Sequence, residues 1–129
     1  MEGMPLQYEE FLRRVADQIG ADRAEREAER AIPATLETLG ERLSGGEASN
    51  LVAQLPGGIK ETLQQAGGVA EGFSLEEFYR RVADREGVDA ETARNDASAV
   101  MRVLREAVSP GELDDVMAQL PAEFNALFR

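Results

Sequence analysis

Any chemistry in this chain falls to carboxylates and arginines. The 129 residues include 25 Asp and Glu and 14 Lys and Arg, but no Cys, His or Trp. Without Cys there are no disulfides, thiolate nucleophiles or Cys-ligated zinc. Without His the usual general base near neutral pH and the commonest transition-metal ligand are missing. This excludes Ser-His-Asp and Cys-His catalysis, zinc-hydrolase chemistry and Glu-x-x-His di-iron sites. The reading is that the protein is not an enzyme and uses no cofactor.

Paired carboxylates could in principle hold Mg²⁺ or Ca²⁺. Asp114 and Asp115 are one candidate, and Glu25, Glu27 and Glu29 another. Neither matches the calcium-loop pattern of alternating acids followed by glycine. They read as charged helix faces, and no metal ligand is assigned. Arg13 and Arg14, repeated as Arg80 and Arg81, could grip a carboxylate or phosphate. Against that, Glu9, Glu10, Glu76 and Glu77 each lie four residues before one of them, the favoured order for ion pairs on a helix surface. Gly57 and Gly58 precede Ile59-Lys60-Glu61-Thr62, but the phosphate-loop spacing is absent and no strand precedes it. Phe124, Leu127 and Phe128 lie near the chain end, where fraying would expose them as a docking patch; the competing expectation is that they tuck into the core.

The elements that position these residues come in two copies. Residues 9–22 read EEFLRRVADQIGAD and residues 76–89 read EEFYRRVADREGVD, identical at ten of fourteen positions. Further on the offset drops from 67 to 65: Ala53-Gln-Leu-Pro56 aligns with Ala118-Gln-Leu-Pro121, and Leu36, Leu39 and Leu43 with Met101, Leu104 and Val108. A tandem duplication follows, with repeat one at 8–65, a Gly-rich linker at 66–74 and repeat two at 75–128.

Each copy reads as four helices. Tyr8, Phe11, Leu12, Val15, Ala16 and Ile19 form a stripe of helical period, which Gly20 ends. Asp22 is the expected cap of the second helix, in which Pro33 should introduce a kink or a break. Ser44 with Glu47, Ser109 with Glu112 and Ser74 with Glu77 have capping-box spacing. Leu-Pro then turns each copy into a short last helix, Ile59–Leu63 or Phe124–Phe128. The predicted fold is all-α: about eight helices packed as one pseudo-two-fold globule, because a unit of about 60 residues is marginal alone.

The motifs E-E-F-x-R-R-V-A-x-x-x-G, L-x-E-R-L-S-G-G-E and A-Q-L-P, in that order and duplicated, resemble a prokaryotic family called domain of unknown function 2267. The likeness runs from about Tyr8 to Phe128. It implies an all-helical, duplicated, soluble protein and supplies no activity, cofactor or site residue.

The net charge of −11 argues against nucleic acid and anionic membranes as partners. No apolar run approaches the ~20 residues of a membrane span. Met1 to Tyr8 has no signal-peptide character, which predicts a cytoplasmic protein. The expected role is a non-enzymatic module binding a protein partner, a basic one by charge, or a second copy of itself. The alternative is small-molecule or metal binding in a cleft between the repeats, marked by a buried, unpaired Arg or Asp such as Arg13 or Arg80 turned inward.

Overall fold

The computed structural model describes residues 7–20, 24–43, 45–66 and 70–128. They form seven α-helices: α1 (Tyr8–Ile19), α2 (Ala24–Arg42), α3 (Gly45–Val52), α4 (Lys60–Ala66), α5 (Leu75–Glu86), α6 (Ala90–Ala107) and α7 (Pro110–Ala118). A 3-10 helix, Ala122–Phe128, follows. No strand occurs among the described residues.

The apolar stripe of α1 buries Phe11 and Val15 and packs Leu12, Ala16 and Ile19 against the same core. Gly20 ends α1 at φ 69°, which lets its N–H reach the Ala16 carbonyl at 2.9 Å; Gly87 ends α5 in the same way at φ 78°. A side chain would be strained at either position, so glycine is the residue that fits. Ser74 accepts from the Glu77 N–H at 3.1 Å and Ser109 from the Glu112 N–H at 3.2 Å. Asp89 caps α6 by accepting from the Thr92 N–H at 2.8 Å. The caps expected at Asp22 and Ser44 lie outside the described residues.

Of the kink or break expected at Pro33, the break does not occur: α2 runs from Ala24 to Arg42 with the proline inside. Proline cannot donate to the carbonyl one turn back, but Ala31, Ile32, Ala34 and Leu36 beside it are all buried, and this packing holds the helix on both sides of the gap. The closing segment is 3-10 rather than α, the tighter form that short terminal pieces adopt.

The two longest helices, α2 and α6, pack on each other. α1 lies against both, and so does α5. α4 packs on α2, the 3-10 helix packs on α6, and α3 touches α7. One continuous apolar cluster takes residues from all eight elements, from Phe11 in α1 to Leu51, Leu63, Val116 and Phe124 in the shorter ones. Residues 70–74 are tied to the end of α2: the Glu71 N–H donates to the Glu41 carbonyl at 2.9 Å, and Arg42 Nε donates to the Phe73 carbonyl at 2.9 Å. Among the described residues, no helix is long and apolar enough to cross a membrane.

Candidate functional site

The first turn of α2, the last residue of α5 and the middle of α6 each bring one carboxyl group to the same place. These are Glu27, Glu86 and Asp96, with one oxygen of each within 4.8 Å of the other two. Glu86 is 3% exposed and Asp96 1%. As ionised groups they are pure acceptors, and both oxygens of Glu86 and Oδ2 of Asp96 have no donor. Burying an ionised carboxylate without a partner is among the costliest arrangements in a protein. Glu86 also stands at the C-terminal end of its helix, where the helix dipole opposes a negative charge.

The electrostatics follow. Glu27 is pushed up to about 7, first by its hydrogen bond with Asp96 and then by burial. Asp96 is also pushed up to about 7, first by burial and then by its hydrogen bond with Glu86. Burial raises Glu86 as well. These carboxyl–carboxyl contacts are hydrogen bonds only while one partner keeps a proton. Once all three ionise, the contacts become repulsive. The Arg30 charge reaches all three groups and opposes the rise.

Glu27 and Asp96 form part of the wall of a cleft of about 480 Å³ between α1, α2 and α6. Gln18, Thr92, Asn95 and Ser98 add carboxamide and hydroxyl groups to that wall. Arg102 also lines it and donates to Gln18 Oε1 at 3.3 Å. The cleft is therefore oxygen-rich, with anionic groups where Glu27 and Asp96 meet the buried Glu86.

The fold itself does not call for acids here. By the alignment of the two copies, Glu86 corresponds to Ile19 and Asp96 to Ala31. Ala31 is fully buried and Ile19 packs on the core. The first half of the sequence has apolar groups at the aligned positions, as a core would.

The residues singled out in the sequence go elsewhere. Arg13 and Arg80 point outward, with side chains 70% and 72% exposed, and pair with Glu10 and Glu77. Neither turns inward; the buried groups of the cleft are acids. The expected pairs Glu10–Arg14 and Glu77–Arg81 form at the four-residue spacing, whereas Arg13 and Arg80 take Glu10 and Glu77 at three residues instead of Glu9 and Glu76.

Arg14 and Arg81 do more than line a helix surface. Each spans from its own copy to the other: Arg14 to Glu106 at 3.1 Å and Arg81 to Glu41 at 2.9 Å. Arg85 joins the second bridge through Glu41 and Glu37. Arg85 and then Arg81 hold the Glu41 carboxyl below its usual range. Arg81 and Glu41 are each about a quarter exposed, so a double-mutant cycle with Arg81→Ala and Glu41→Ala in urea should return a coupling of about 0.5–1.5 kcal/mol. A coupling near zero would show the bridge to be energetically silent.

Phe124 and Phe128 are 1% and 4% exposed. They belong to the core and, among the described residues, form no apolar docking patch at the chain end. Asp114 and Asp115 are exposed on α7, as are Glu25 and Glu29 on α2. Only Glu27 of the acids considered for metal enters the buried cluster. Glu86 and Asp96 were not singled out; their signal was a charge aligned with an apolar residue of the other copy.

These features define an all-α helical protein with an acidic cleft where the two halves of its sequence meet. The chain belongs to the family described as uncharacterized conserved protein (DUF2267), whose model matches residues 8–127. No curated protein matches the sequence.

Proposed function

We propose that the protein is a non-catalytic binding module that takes up a cationic ligand in the cleft between α1, α2 and α6. The observation that carries this reading is Glu86, a buried carboxyl group whose oxygens receive no donor from outside the cluster, set against Asp96 and Glu27. A cation supplies what the cluster lacks, and binding there would offset the burial penalty. Docking to a protein partner has weaker support, because the apolar candidates lie in the core and Arg14 and Arg81 are engaged within the chain.

Thermal-shift measurements at pH 8 test the proposal, with Ca²⁺, Mg²⁺, Mn²⁺ and spermidine as separate probes. A ligand at about a hundred times its Kd should stabilise the protein by roughly 2.7 kcal/mol, a rise of several degrees in Tm. The rise should vanish in Asp96→Asn. No shift with any of these cations, or an equal shift in Asp96→Asn, would sink the reading.

A further inference from the structure

We infer that the ligand is a single hard divalent metal ion of calcium size, held by one oxygen each from Glu27, Glu86 and Asp96. This rests on the cation-binding reading above and names the cation.

Four observations carry it. The first is donor chemistry. All three groups are carboxylates, and with no His or Cys in the chain nothing favours zinc or copper over an oxygen-seeking ion.

The second is size. The three oxygens lie within 4.8 Å of one another, close enough to share one ion. Calcium, at about 2.3–2.6 Å from its oxygens and with a flexible shell, suits carboxylates fixed by three separate helices better than magnesium, which demands a near-ideal octahedron at about 2.0–2.1 Å.

The third is charge. Three ionised carboxylates, opposed only weakly by the exposed Arg30, concentrate negative charge at one point, which suits one divalent ion. A spermidine chain would instead spread its charges along a groove.

The fourth is independent of the acidic cluster as such. The two oxygens of Glu86 lie in the interior with no donor from outside the cluster, at a position that aligns with Ile19 in the first half of the sequence. A carboxylate kept there against both burial and the helix dipole points to a ligand. Calcium takes six to eight oxygens. The cleft of about 480 Å³ beside the three carboxylates has room for the waters that complete the shell, and Asn95, Thr92 and Gln18 on its wall can orient them.

Isothermal titration of the chelator-treated protein at pH 8 tests this with Ca²⁺, Mg²⁺ and spermidine. The expected result is one Ca²⁺ per chain, with Mg²⁺ weaker. Glu86→Gln and Asp96→Asn should each weaken Ca²⁺ by about tenfold or more, since affinity follows ligand charge. Arg30→Gln should tighten it roughly threefold by removing a repelling charge from an exposed position. That opposite sign separates a metal site from a merely structural cluster. Asp114→Asn, on the surface of α7, should change nothing.

Ca²⁺ bound equally well by Glu86→Gln and Asp96→Asn would overturn the inference, and Mg²⁺ as tight as Ca²⁺ would overturn the size assignment. If spermidine binds, no divalent ion does, and the same two substitutions abolish it, the metal assignment fails while the cation-binding cleft stands. If neither binds, both fail and the three acids are a proton-sharing cluster in the core.

Discussion

In metal-free buffer above pH 7, Glu86→Gln and Asp96→Asn should each make the protein more stable than the wild type. Raised carboxyl groups give the direction. Glu27 and Asp96 are pushed up to about 7, and Glu86 is raised too. Between the unfolded carboxylate range near pH 4 and about pH 7, the folded chain holds protons that the unfolded chain has released. Wild-type stability therefore falls as pH rises through that window and stays at its lower level above it. An amide cannot ionise, keeps a donor for its neighbour and removes one charge from the cluster, so the variants escape part of the loss. The gain should be on the order of 1–3 kcal/mol, which raises Tm by several degrees in a domain of this size. Below about pH 4 the difference should disappear, because the acids are then protonated in both states. Denaturant titrations at pH 4, 6 and 8 measure it. If the amide variants were less stable than wild type at pH 8, the acids would be holding the fold together and would need no ligand.

The largest loss of stability should come from Phe78→Ala. Phe78 is fully buried and meets Phe124 edge-on at 5.9 Å, Tyr79 edge-on at 6.2 Å and Phe73 at 6.5 Å. Arg42 stacks over both Phe73 and Phe124, so this aromatic group also anchors the segment entering α5. Removing the ring forfeits its transfer free energy and leaves a cavity, at a cost of roughly 3–5 kcal/mol. That is a large share of the ~5–15 kcal/mol that holds a typical domain together. Phe11 is aligned with Phe78 and equally buried, but Leu12 and Ile59 stand where Phe78 has Tyr79 and Phe124. Edge-to-face pairs add about 0.5–1.5 kcal/mol each, so Phe78→Leu should cost more than Phe11→Leu. Urea midpoints of the two leucine variants check this; equal losses would show that the aromatic geometry contributes nothing beyond area.

The helices were legible because local rules determine them. The stripe through Phe11, Val15 and Ile19 needs only the helical period, and Gly20, Ser74 and Ser109 mark ends through their own backbone or side-chain chemistry. At Pro33 the local rule allowed either a kink or a break, and packing decides against the break: Ala31, Ile32, Ala34 and Leu36 around it are buried. The closing segment is legible only as a short helix, because apolar spacing alone does not separate α from 3-10 in so short a piece.

The site was far less legible. In a chain with 25 acids, Glu86 and Asp96 look like surface charges until tertiary packing buries them. Each belongs to a helix that also carries exposed charges, such as Asp84 on α5 and Glu91 on α6, and nothing in α5 or α6 alone shows which acid turns inward. Glu27 was noticed only as one of a run. The comparison of copies held the missing clue, since Ile19 and Ala31 mark core positions that the second copy gives to carboxylates. The bridges Arg14–Glu106 and Arg81–Glu41 were hidden for the same reason, because their partners lie in the opposite half of the chain.

The most direct test is a crystal structure of the protein grown with Mn²⁺, a hard divalent ion with a usable anomalous signal. A single strong anomalous peak bonded to Glu27, Glu86 and Asp96, with waters reaching into the cleft, is the expected result. Peaks only on surface acids, with these three carboxyls still in contact with one another, would contradict it.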